Sequence, residues 1–276
     1  MISWGLGDFF IQRTVRLIGS TKALFCIAIT GTIVLFPFVW RELLLLDMPD
    51  LLLLSLLTFV VIVSALFNFE ALKTGKIAII EPIIGLELPI TVALSISLAH
   101  ETLSPSQWLL IVIVFIGITS ATTLQYSHLH YHKRIFEKGA ILAGLAAIGM
   151  GLTNFLVGIS SREISPLLTI WFSHTGIALI IGTYLLITHT LIDLYRDVCK
   201  HPWPVMSQSF LDNIAWIAFA FATTFIPIAV ATAISESYLA LAVLLGLLVT
   251  REKIKNHQKA GVAMAVSGVI LLSGIS

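Results

Sequence analysis

Charge is scarce in this sequence. Of 276 residues, 16 are Lys or Arg and 15 are Asp or Glu, 11% in all, where soluble domains carry about 25%. So few charges cannot cover the surface of a domain in water, and a net charge of +1 offers no basic face to a nucleic acid. Cysteine is scarcer still. Cys26 and Cys199 make no disulfide framework and are expected as free thiols. There is no phosphate-cradling loop of the Walker type, which excludes ATP-driven work within this chain, and no zinc-protease pattern or nucleophile elbow. No cluster of catalytic polar residues gathers at one end. The chain therefore reads as a non-enzyme without a cofactor. The three histidines of "HLHYH", His128, His130 and His132, have no Cys or carboxylate beside them, and read as linker rather than as a metal site.

What is present is apolar sequence, 58% of the chain. A membrane-spanning helix needs about 20 predominantly apolar residues. Ten candidate spans follow along the chain, at 2–19, 21–40, 51–72, 77–99, 107–124, 139–160, 166–190, 213–233, 236–250 and 258–275, with polar connections at 125–138 and 191–212. Asp8, Gln12, Arg13 and Arg16 interrupt the first span and rule out the apolar core of a cleavable signal peptide.

Ten spans divide into two fives, and the two halves resemble each other. "WGLGDFFIQRTVRLIGS" from Trp4 aligns with "MGLTNFLVGISSREISP" from Met150, so that Gly5 meets Gly151, Asp8 meets Asn154, Phe9 meets Phe155 and Arg16 meets Arg162. A second match sets "HETLSPSQWLLIVIVFIGI" from His100 against "REKIKNHQKAGVAMAVSGV" from Arg251, pairing Glu101 with Glu252, Gln107 with Gln258 and Gly117 with Gly268. Five spans is an odd number, so the second copy enters the membrane from the opposite side. Inverted repeats of this kind characterise secondary transporters, whose substrate site lies at the repeat interface near the midplane. In the second copy apolar sequence starts twelve residues before Gly151, whereas four residues precede Gly5; the first helix is expected to be short.

These stretches, with "LELPITVALSISLAHETLSPSQWLLIVIVFIGI" from Leu86 and "SESYLALAVLLGLLVTREKIKNHQKAGVAMAVSGVILL" from Ser235, resemble the EamA branch of the drug/metabolite transporter superfamily along nearly the whole chain. The resemblance implies an all-α integral membrane protein, a ten-helix bundle of two inverted five-helix repeats at 1–124 and 139–276 joined by a polar linker at 125–138. It also implies secondary transport, often export, of small metabolites. Family members commonly carry Gly before the Glu that ends the fourth and ninth spans; this chain has His100 and Arg251 there.

Orientation follows from the cations. Fourteen of the 16 Lys and Arg fall in odd-numbered connections and two, Arg41 and Arg162, in even ones. The positive-inside rule then places the odd connections in the cytoplasm and both termini outside.

An ionisable side chain inside a span is costly and marks function by default. In "EPIIGLELPI" Glu81 and Glu87 sit between Pro82 and Pro89, so the fourth span is expected to be irregular where it lines a cavity. Glu87 is about 15 Å into a ~30 Å core and is the favoured proton or substrate-amine site; Glu81, nearer the interface, is the second candidate. Asp8 and Asn154 occupy matched places in the two halves. Arg13 and Arg16 lie one turn apart and are expected to snorkel. In "IWFSHTG" Trp171 and His174 sit about one turn inside the seventh span, His174 as a titratable candidate and Trp171 as an interface anchor or substrate platform. Glu236, in "ISESY", is expected to face solvent in a tight turn. Trp4, Phe9, Phe155 and Trp171 suggest an aromatic lining suited to an amino acid or amphipathic metabolite. The partners are thus a small-molecule substrate and the bilayer. Two other readings stay open, a flippase for a lipid-linked metabolite and a truncated, inactive paralogue. Oligomeric state is not legible, because membrane interfaces carry no distinctive apolar signal.

Overall fold

The computed structural model describes residues 2–74, 80, 83–122, 133–240 and 256–275, with the backbone alone for 122 and 133–138. Every regular element among them is helical. The first half holds α1 (Ile2–Ile18), α2 (Ser20–Val39), a 3-10 turn (Glu42–Leu45), α3 (Met48–Thr74), α4 (Glu87–Ser97) and α5 (Pro105–Thr122). The second holds α6 (Lys133–Glu163), α7 (Pro166–Ile187), α8 (Leu191–Lys200), α9 (Pro202–Phe225), α10 (Ile228–Glu236) and α11 (Asn256–Gly274). Four stretches among the described residues are long and apolar enough to cross a membrane: Ser20–Val39, Met48–Thr74, Gly139–Glu163 and Pro166–Ile187. Their outward faces stay apolar. Ile33, Phe36 and Phe38 on α2, and Leu52, Leu56 and Phe59 on α3, are all more than half exposed, as expected where the surrounding solvent is hydrocarbon.

The helices pair in a two-fold pattern. The most extensive packings are α3 on α6, α1 on α9, α2 on α7, and α5 on α11. Exchanging α1 with α6, α2 with α7, α3 with α9 and α5 with α11 maps α1–α9 onto α6–α3 and leaves the other two pairings unchanged. Small residues permit the closest of them. A Cβ on Gly117 would lie 2.6 Å from the Ala265 nitrogen, and one on Gly261 2.5 Å from the Ala121 nitrogen. These are two Gly-x-x-x-Ala faces in mutual contact, the small-residue packing that lets membrane helices approach.

Contacts also gather the connections at two ends. At one, Lys22 Nζ meets Asp197 at 2.6 Å, Ser20 donates to Glu70 and Arg16 donates to the Leu72 carbonyl, joining the first, third and seventh connections. At the other, the Arg162 guanidinium lies 2.7 Å from the Glu101 carboxylate and donates to the carbonyls of Thr223 and Ile226, joining the fourth, sixth and eighth.

Three expectations are corrected here. The polar stretch 191–212 is not a loop. It forms α8, which buries Leu194 with Leu191 and Val198 against the core while Asp193 and Arg196 face outward, and then the first half of α9. The span expected at 213–233 is two helices. Pro227 cannot donate a backbone hydrogen bond and drives the preceding residue out of the helical region; Ile226 is extended at φ −130, ψ 160. The amides left open at the start of α10 are satisfied by Glu101, whose carboxylate accepts from Ile228 N at 2.7 Å and Ala229 N at 3.2 Å. Finally, Glu236 does not face solvent. It ends α10 at 3% exposure, because the chain continues into the bundle through Tyr238 rather than turning out.

His100 explains the departure at the end of the fourth span. Its φ is +53, the left-handed region that glycine enters without strain. The expected free thiols are observed, Cys26 buried and Cys199 exposed.

Candidate functional site

The fourth span is broken where its sequence is weakest as a helix. Gly85 and Leu86 form a turn, tied by Leu86 N to the Ile83 carbonyl at 3.1 Å, and α4 starts afresh at Glu87. Pro89 then falls in the first turn, where a missing N–H costs nothing, and Glu87 sits at the helix's positive end. Its side chain is 4% exposed and points into a cavity at the middle of the bundle. Thr91, one turn on, donates to the Gly151 carbonyl of α6 and locks α4 onto the second half.

The cavity measures about 70 Å³, room for about five waters at ~10–15 Å³ each and well below the ~300–1,000 Å³ of drug-sized sites. Four carboxyls line it: Asp8, Glu87, Asp212 and Glu236. The carboxyls of Glu87 and Glu236 hydrogen-bond each other. Asp8 takes a hydrogen bond from the Tyr238 side chain and lies within electrostatic reach of Asp212 and Glu236. Asn68, Asn154 and His174 supply the remaining polar wall. The residues also form matched sets: 8 with 154, 68 with 212 and 87 with 236 stand at offsets of 146, 144 and 149 residues. Asp8 and Asp212 occupy the α1–α9 packing, and Asn154 and Asn68 the equivalent α6–α3 packing.

Of the sequence candidates, Glu87, Asp8, Asn154 and His174 are brought together. Trp171 is not. Its indole donates to the Thr32 carbonyl at 3.0 Å and packs against Phe36, 6.0 Å between centroids, outside the cavity. Glu81, the residue before Pro82, lies outside the described residues, as does "HLHYH". Arg13 and Arg16 are exposed and do not line the cavity. Its aromatic wall differs from expectation too. Phe9 is 58% exposed and Phe155 is in the core; Trp4 keeps its place, stacked edge-on at 5.2 Å against Trp216 and 6.5 Å from Tyr238. Asp212, Glu236, Asn68 and Trp216 are the members that sequence reasoning missed. Asp212 in "SFLDNIAWIAF" carried a signal, an acid that with Asn213 stands between apolar residues on both sides.

The profile of the EamA-like transporter family matches residues 1–123 and again 137–274. No curated protein matches the chain. Among solved structures 28 chains match; one crystal structure superposes with a TM-score of 0.70 at 13% identity, covering 99% of this chain and 94% of that one. At that identity the likeness is one of fold alone.

Proposed function

The chain belongs to the EamA-like transporter family, and on that premise we propose that it is a proton-coupled secondary transporter exporting a small organic metabolite across the cell membrane. Membership and the apolar helices make it a multi-pass membrane transporter. In our reading it has ten spans in two inverted halves, which rock about the central cavity to expose it to either side in turn. The odd connections, richer in Lys and Arg, face the cytoplasm, and both termini lie outside.

The observation that carries this reading is the Glu87–Glu236 pair. One carboxyl comes from each half, both are buried, and both face the cavity where the halves meet. Motion of one half against the other separates the pair, so that each carboxyl must find another partner, a proton or a substrate. That links the proton to the conformational change, which is the requirement for coupling. Asp8, Asp212, Asn154 and His174 form the rest of the binding wall.

Proteoliposomes test the reading. Counterflow of a pool of labelled small metabolites, measured with and without a pH gradient, is expected to show gradient-dependent accumulation. It should vanish in Glu87→Gln while the variant inserts normally. A wild-type rate and gradient dependence in that variant would remove the coupling role.

A further inference from the structure

The cavity's chemistry is one-sided. Among the described residues its titratable lining is four carboxyls, one histidine and Tyr238, and no Lys or Arg lines it. Three cations outside the cavity are engaged elsewhere. Arg16 donates to the Leu72 carbonyl, Lys22 pairs with Asp197 and Arg162 with Glu101. Asp8 has the Tyr238 side chain as a hydrogen-bond partner. Asp212 differs. It is 8% exposed, faces the cavity and makes no side-chain hydrogen bond to a described residue, and Asp8 lines the same cavity.

A second observation is independent of the acids. Asn154 is 3% exposed, lines the same cavity and bonds to no described residue. Two atoms of the same wall, Asn68 Oδ1 and His174 Nδ1, are buried without a partner, which is uncommon, and Asn154 shares the cavity with them. Its carbonyl accepts hydrogen bonds, and an ammonium has three donors and no acceptor.

We infer that the cavity binds the charged head of an organic cation, an ammonium or a guanidinium, between Asp212 and Asn154, with the Trp4–Trp216 wall beside it. The inference rests on the transport reading of the same cavity and names its substrate class. The volume suits it: about 70 Å³ admits an ammonium, which is close to a water molecule in size, with its first waters. Aromatic faces attract such a head and repel an anion. An anionic head would meet the side chains of Asp8, Asp212, Glu87 and Glu236, with no Lys or Arg of the described residues in the lining to offset them.

Binding to the purified full-length protein in detergent, without any gradient, tests this separately from transport. Quenching of tryptophan fluorescence is read with 2-phenylethylamine and putrescine as cations, and with 2-phenylethanol and phenylacetate as the neutral and anionic counterparts. At least one amine is expected to bind about tenfold or more tighter than either counterpart. Asp212→Asn should weaken that amine about tenfold and Asp212→Glu should recover most of it. Should Asp212→Asn fail to fold, by retention volume and melting temperature, Asn154→Ala takes its place with the same expectation. The inference is overturned if phenylacetate or phenylethanol binds as tightly as the amines, if the folded variants keep wild-type amine affinity, or if neither amine binds by ~10 mM. A protein that binds amines yet moves none in proteoliposomes sinks the transport reading and leaves the site. One that transports only anions or neutral solutes does the reverse.

Discussion

Glu87 of the first half and Glu236 of the second share a hydrogen bond in the central cavity, each buried to within 4% of full enclosure. They reach it by the same route. Each stands at an end of a short helix that follows or precedes a break in the membrane path, at Gly85–Leu86 for α4 and at Ser237 for α10. Irregular backbone at that depth is tolerated because it lines a cavity rather than lipid.

The first prediction concerns this pair. Glu87→Gln and Glu236→Gln each retain a hydrogen bond across the pair, because a glutamine amide donates to the remaining carboxylate. Both variants should therefore insert and fold. Proton-driven accumulation should be lost in each, whereas exchange of solute for solute, which needs no net proton movement, should continue. Parallel measurement of the two modes in proteoliposomes checks it; equal loss of both modes would place the pair in solute binding rather than in coupling.

The second concerns the clamp at the far end. Glu101, its side chain 7% exposed, accepts from the two open amides of α10 and from Arg162. Glu101→Ala removes every one of those acceptors, and a buried charged hydrogen bond contributes about 1.5–3 kcal/mol. Arg162→Ala leaves the carboxylate on the two amides, and the guanidinium is about one-third exposed, so water screens its contribution. Glu101→Ala should lower the melting temperature more than Arg162→Ala, and the double variant should fall by less than the sum. Thermal stability in detergent decides the order.

Much of the fold is legible in the sequence because lipid imposes length and apolarity directly. Ser20–Val39, Met48–Thr74 and Pro166–Ile187 lie where composition puts them. Legibility fails where a span is interrupted. Pro227 is a breaker in plain view, yet the apolar residues on both sides of it make 213–233 look continuous. Polar composition hides the start of α9, because amphipathic α8 and the Pro202–Gln208 part of α9 read together as a loop. That error conceals Asp212. Glu236 is concealed in the same way, since Ser235 and Ser237 around it resemble a turn. Glu87, Asp8, Asn154 and His174 are legible because each is a polar residue within a predominantly apolar span, where burial is costly and demands a reason.

A third prediction follows from His100. An L-residue in the left-handed region is disfavoured by about 1–2 kcal/mol, and glycine recovers part of that against its greater freedom in the unfolded chain, about 0.5–1 kcal/mol. The His100 side chain is exposed. His100→Gly should raise the melting temperature slightly and leave transport unchanged. A lower melting temperature would show that the imidazole contributes more than its backbone costs.

The α5–α11 crossing supplies the last prediction. Gly117 and Gly261 bring the two backbones so close that a Cβ on either would meet backbone atoms of the other helix, at 2.6 Å for Gly117 and 2.5 Å for Gly261. Backbone cannot step aside as a flexible side chain can. Gly117→Ala must part the helices, at a cost of about 1–3 kcal/mol for overpacking, and Gly117→Val should cost more. The reciprocal contact makes the second substitution cheaper once the first has opened the crossing, so Gly117→Ala with Gly261→Ala should destabilise by less than the two added. Neither residue lines the central cavity. Solute binding should therefore keep its affinity in variants that remain folded, while melting temperature falls. A loss of affinity at unchanged melting temperature would instead show that the crossing takes part in shaping the binding site.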